Sequence, residues 1–200
     1  MRNNQITSNK FFNNLDIGYE KKSKKILIKK TMNIKKNIII SCVVILLTSL
    51  VLISFQKDIV DNLDMTTISG EKITSKNLLG KVVLINFWAT DCPGCIAEMP
   101  GLIKTYNKYK NQNFEVIAVS MFYDPPSHVL NFSKNNNLPF PVVLDIEKKI
   151  SAQFNNVTLT PTSFLINHEG KIINRIIGEI NFDEFDSLLQ KAIKKSISSS

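Results

Sequence analysis

The chain has 200 residues, 44% of them hydrophobic, with only seven glycines and seven prolines. These proportions describe a packed domain plus something extra, and exclude a disordered or collagen-like chain. The net charge of +8 is confined to one end: residues 1–56 hold 10 Lys and Arg against 2 Asp and Glu, and residues 57–200 hold 15 against 15. A neutral folded part, without aromatics interleaved among basic residues, argues against a nucleic-acid partner.

Residues 1–37 form a basic arm, rich in Asn and Lys over its first 31 positions and too poor in apolar residues to pack. Met32 opens a compact basic stretch, "MNIKKNIII", and is a candidate for the true start. Residues 38–55, "IIISCVVILLTSLVLISF", carry no charge. At ~1.5 Å per residue they reach about 27 Å as a helix, close to a hydrocarbon core of roughly 30 Å. Lys29, Lys30, Lys35 and Lys36 precede this run, and Asp58, Asp61 and Asp64 follow it. The positive-inside rule then predicts a cytoplasmic N-terminus and an exported remainder, periplasmic or otherwise extracytoplasmic. Leu52-Ile53-Ser54 is a poor small-x-small cleavage site, so a lasting single-pass anchor is expected rather than a cleaved signal. Cys42 lies too early in the run for a lipoprotein box and reads as an inert apolar residue.

A polar linker at 56–64 leads to one folded domain over 65–200. "MTTISGEKITSKNLLGK" predicts a short strand, a Ser-Gly turn, a second extended piece and a brief helix ended by Gly80. "KVVLINFWA", 81–89, is a continuous run of β-branched and aromatic residues, as in a strand buried on both faces. From Pro93 to about Lys110, Ile96, Met99, Leu102, Ile103 and Tyr106 recur at helical spacing. Pro93 suits the first helical position, and Pro100 should kink the helix. A strand follows at 114–121, then a helix from Pro125 to about Asn136. A short strand at 141–145 and a helix near 147–155 come next. "TSFLINHEGKIINRIIG" reads as two strands joined by a tight turn at Glu169-Gly170, and a terminal amphipathic helix is capped by Asn181. The order describes a three-layer α/β domain with a mixed sheet.

Cys92 and Cys95 fall where the 81–89 strand meets its helix. Three chemistries use such a pair. A zinc clip needs about four ligands, and His128 and His168 lack ligand-like spacing, so no metal is expected. A structural disulfide over so short a loop constrains the unfolded chain little. A redox couple gives each neighbour a role. Cys92, at the helix N-terminus, is the attacking sulfur, with its thiolate favoured by unpaired N–H groups. Cys95, one turn along, is the buried resolving sulfur. Glu98, three residues further, could take the proton from Cys95 if buried, or could be a solvated surface residue. In "LTPTSF", Pro161 before an apolar strand is a candidate for a cis bond, which would bring the Thr160 backbone alongside the cysteines with its N–H and C=O free for an extended substrate. Tyr123-Asp124-Pro125-Pro126 reads as a rigid loop at the edge of the site, suited to partner recognition.

Together "NFWATDCPGC" (86–95), "AEMP" (97–100), "TPTSFLI" (160–166) and "RIIGE" (175–179) resemble the thioredoxin superfamily, and within it the membrane-anchored TlpA/ResA-like group, over roughly residues 65–195. The resemblance implies a thioredoxin-like fold, a redox-active Cys92–Cys95 disulfide, a catalytic Glu98, and Trp88, Thr160 and Pro161 in substrate binding. It further implies no cofactor, a DsbD-like membrane thiol donor, and clients among cysteine-containing exported proteins, including apocytochrome c. Two positions depart from the wider pattern: Asn86 stands where cytoplasmic thioredoxins carry a buried aspartate, and Asp91 where a tryptophan is usual. A carboxylate beside Cys92 opposes its ionisation. Two other functions use related folds: a thiol peroxidase, which resemblance would give a threonine three residues before the reactive cysteine where Thr90 is two before Cys92, and a copper-delivery protein, which spaces its cysteines by three.

Overall fold

The computed structural model describes residues 40–49 and 63–198. The chain divides into two units at Lys57/Asp58. In the first, residues 40–49 form a helix (α1) exposed on every side, Ile45 and Leu46 at 64% and 61%. Thr48 and Ser49 donate their hydroxyls to the carbonyls of Ile45 and Leu46, so these two polar side chains are satisfied within the helix. The rest of the expected 38–55 span, the basic arm and most of the linker lie outside the described residues. Among the described residues no helix is long and apolar enough to cross a membrane.

The second unit opens with β1 (Asp64–Thr66) antiparallel to β2 (Lys72–Thr74), joined through Gly70 at φ +87°, and a single-turn helix α2 (Ser75–Leu78). Then follow β3 (Val82–Trp88), α3 (Pro93–Tyr109), β4 (Phe114–Ser120), α4 (Pro126–Asn135), β5 (Val142–Leu144), α5 (Lys149–Gln153), β6 (Thr162–Ile166), β7 (Ile172–Ile177) and α6 (Phe182–Ser198). The five-stranded sheet runs β5-β4-β3-β6-β7. The first three strands are mutually parallel, and β6 and β7 are each antiparallel to their neighbours, so the sheet is mixed. This is the expected thioredoxin-like α/β arrangement.

Alternation along the central strand distributes the core. Val82, Leu84 and Trp88 pack with Leu102 of α3 and with Phe185, Leu189 and Ile193 of α6. Val83, Ile85 and Phe87 face the other way, toward Met65, Ile73, Phe154 and Phe164. Phe87, Phe154 and Phe164 form an aromatic trio with centroids 4.9 to 5.9 Å apart. Asn86 has the parity of Leu84 and Trp88, so the strand aims its one polar residue into the α3 layer.

Several boundaries shift. α3 runs unbroken through Pro100. α4 begins at Pro126, leaving Pro125 as the residue before the helix. α5 has only five residues because the buried Asp145 carboxylate accepts from the N–H groups of Ile150 and Ser151 at its start, and Asn155 and Asn156, both at positive φ, end it. The β6–β7 connection is longer than a tight turn: Asn167 Oδ1 accepts from the N–H groups of both Glu169 and Lys171, and Gly170 takes φ +81°. Asn181 caps α6 as expected, accepting from Asp183 and Glu184.

Candidate active site

The sheet ends where β3 delivers Cys92 to the first turn of α3. Cys92 is the residue before the helix, in extended conformation, and its Sγ accepts the Cys95 N–H at 3.2 Å. The sulfur thus occupies the capping position that a Ser or Asp oxygen usually takes, and a thiolate there would hold the same N–H more strongly. Cys92 is partly exposed, whereas Cys95 is fully buried in the α3 core layer. The two form a disulfide with Cα atoms 5.3 Å apart. Asp91, just before, is exposed.

Glu98 lies one turn beyond Cys95 and is 3% exposed. Its Oε1 accepts from Asn86 Nδ2 at 2.8 Å and its Oε2 from the Ile180 N–H at 3.1 Å. Burial pushes its pKa above the ordinary carboxylate value, the two hydrogen bonds pull against that, and the charge of Glu179 adds to the rise. Asn86 Nδ2 also donates to Ser163 Oγ at 2.9 Å, while Asn86 Oδ1 is buried without a partner among the described residues. Turning that amide over would pair Oδ1 with the O–H of a protonated Glu98, so the network can serve either charge state of the carboxyl.

The Thr160–Pro161 bond is cis, and Pro161 is buried beneath the partly exposed Thr160. Thr160's own N–H and C=O have no hydrogen-bond partner among the described residues, leaving a main-chain edge open to an extended peptide. The position expected of Trp88 is corrected: its indole is fully buried against Phe132, ring centroids 5.2 Å apart, and cannot touch a substrate. The parity that puts Leu84 into the α3 layer puts Trp88 there too, so it supports the site from below.

Contacts beyond those expected from the sequence complete the site. Gly178 donates its N–H to the Pro161 carbonyl, Glu179 lies across Gly94, and Ile180 holds Glu98. Three consecutive residues therefore reach the cis-proline, the CxxC turn and the buried carboxyl. Asp124 accepts from Thr90 twice, from N–H at 2.7 Å and from Oγ1 at 2.5 Å. The proton of the Thr90 hydroxyl is thus committed to Asp124. Sequence spacing carries no signal for such pairings, which join residues 17 to 85 positions apart. Among the described residues no group of three or more His, Cys, Asp and Glu forms a metal centre.

The AhpC/TSA family matches residues 57–175. A thiol-disulfide oxidoreductase ResA from Bacillus cereus is 41% identical over 130 residues, 65% of this chain and 74% of that protein. The ResA of Halalkalibacterium halodurans is 36% identical over 132 residues, 64% and 74% of the two chains. Among solved structures, a candidate thioredoxin from Neisseria meningitidis superposes with a TM-score of 0.65 at 37% identity, covering 68% of this chain and 91% of that one. StoA from Bacillus subtilis does so with 0.55 at 29% identity, covering 62% and 93%. With a partly exposed sulfur capping α3, a buried one behind it, and a family match that takes in both cysteines, Glu98 and Pro161, the chain belongs to the AhpC/TSA family and, within the thioredoxin superfamily, to the ResA-like thiol-disulfide oxidoreductases.

Proposed function

We propose that this oxidoreductase is held in the cytoplasmic membrane by residues 38–55, with its N-terminus in the cytoplasm, and reduces disulfides of exported proteins, apocytochrome c among them. The observation that supports this exchange is the asymmetry of the two sulfurs, which suits Cys92, partly exposed at the helix N-terminus, to attack, and Cys95, wholly buried one turn before the raised-pKa Glu98, to resolve.

The Cys92 thiolate attacks one sulfur of a client disulfide, forming a mixed disulfide and expelling the first client thiolate, while the client strand pairs with the Thr160 edge. Cys95 then gives its proton to the Glu98 carboxylate and attacks Cys92 Sγ, expelling the second client thiolate and leaving Cys92–Cys95 oxidised. Two electrons have passed to the client. A membrane dithiol donor of the DsbD kind must return them, because the compartment outside the membrane is oxidising. The anchor reading is supported by the eighteen uncharged residues, the helical geometry of 40–49 and the lysines before them.

The first test is the reduction potential of Cys92/Cys95 in the full-length chain, equilibrated against thiol buffers. A value near about −270 mV or below is expected of a reductant. A value near about −120 mV would make the protein an oxidant that introduces disulfides.

A further inference from the structure

The loop between β4 and α4 touches both walls of the site with two consecutive side chains. Asp124, buried, accepts from Thr90 through both carboxylate oxygens and so ties the loop to the turn that precedes Cys92. Tyr123 Oη lies 3.3 Å from Thr160 Oγ1, on the residue whose main-chain N–H and C=O are unpaired. The aromatic rings here face solvent although the domain has a full core to offer them: Phe122 is 40% and Tyr123 44% exposed, and Leu159, before Thr160, is 63% exposed. They are also held in place. Phe122 and Tyr123 pack edge to face at 5.2 Å, and Lys148 Nζ sits 3.7 Å above the Phe122 ring. Pro125 and Pro126 stiffen the way out of the loop.

An apolar surface that is rigid, exposed and continuous with an open peptide edge is suited to receive a side chain of whatever peptide lies along that edge. We propose that Phe122 and Tyr123 form a specificity shelf that selects clients carrying an aliphatic or aromatic residue beside the target cysteine, with Asp124 as the positioning residue that holds the shelf in register with Cys92. This rests on the thiol-disulfide exchange described above. A client strand on the Thr160 edge projects alternate side chains to opposite faces, so a residue flanking its cysteine comes down on Tyr123.

The test uses the reduced full-length chain and two synthetic peptide disulfides, identical except that one has Leu and the other Ser on either side of the reacting cysteine. The readout is the ratio of their kcat/KM values, from which the fraction of correctly folded enzyme cancels. The wild-type chain is expected to favour the Leu peptide by about tenfold, as partial cover of an apolar side chain would give. Tyr123→Ala should bring the ratio close to one, and Tyr123→Phe should keep it, since the ring and not the hydroxyl forms the shelf. A wild-type ratio near one, a ratio unchanged in Tyr123→Ala, or one lost in Tyr123→Phe would each overturn the shelf. Failure of the wild-type chain to reduce either peptide would instead overturn the exchange reading beneath it.

Discussion

Cys92 and Cys95 are alike in the chain and unlike in their surroundings, and the proposed exchange rests their roles on that difference. With Cys95→Ser the mixed disulfide has no resolving sulfur, so a stable covalent adduct with client peptide should accumulate, visible as a mass increase that dithiothreitol removes. Cys92→Ser should form none. Glu98→Gln should slow the release of that adduct by about 10²-fold, the lower end of what a positioned base contributes, while the first attack by Cys92 changes little. Stopped-flow measurement of the two steps separates them. The raised Glu98 pKa also bears on stability: the folded carboxyl holds its proton to higher pH than the unfolded one. Its contribution is therefore fully present below the ordinary carboxylate pKa and lost as pH rises through the folded value. Urea unfolding at several pH values should show wild-type stability declining through that window, with the decline flattened in Glu98→Gln. Of this site, the cysteines, Glu98 and the cis-proline were legible in the sequence. The hydrogen bonds of Ser163 and Ile180 were not, because pairings that span more than 70 positions have no local pattern.

Helix α3 shows how an element meets demands from both ends. At its start, a Cβ on Gly94 would lie 2.9 Å from Glu179 Oε1, the tip of an exposed and flexible side chain that can turn aside. Further along, a Cβ on Gly101 would lie 2.2 Å from the Phe182 ring of α6, which cannot. Alanine should raise helix propensity at both places, by ~1 kcal/mol. Gly94→Ala is therefore expected to leave the thermal midpoint within a few degrees, and Gly101→Ala to lower it through overpacking of roughly 1–3 kcal/mol. Equal midpoints for the two variants would mean that α6 yields at Phe182. The same contrast explains what was readable at this scale. Periodicity placed the strands and long helices within a residue or two, because burial on one face or both writes itself into the spacing. The short α5 and the β6–β7 connection escaped it, since the side chains of Asp145 and Asn167, bonded to the backbone, decide them.

At the scale of the whole chain, the basic charge belongs to the N-terminal segment and the domain is neutral. The proposed topology gives a concrete expectation for the cysteines. A membrane-impermeant maleimide applied to intact spheroplasts after mild reduction should label Cys92 but not Cys42, and reach Cys42 only once detergent is added. Labelling of Cys92 only after lysis would place the domain in the cytoplasm. The sequence by itself determined the α/β order, the strand that carries the CxxC, the inequality of its two sulfurs and the resemblance to the TlpA/ResA-like group, because these follow from residue type and local spacing. Tertiary structure alone decided that Trp88 lies under the site rather than on it, that Asn86 and Ile180 share the Glu98 carboxyl, and that the Tyr123 loop joins both walls. These depend on sheet register and on which layers meet, and the free energy of that meeting is set by burial across the fold, which no stretch of residues specifies alone.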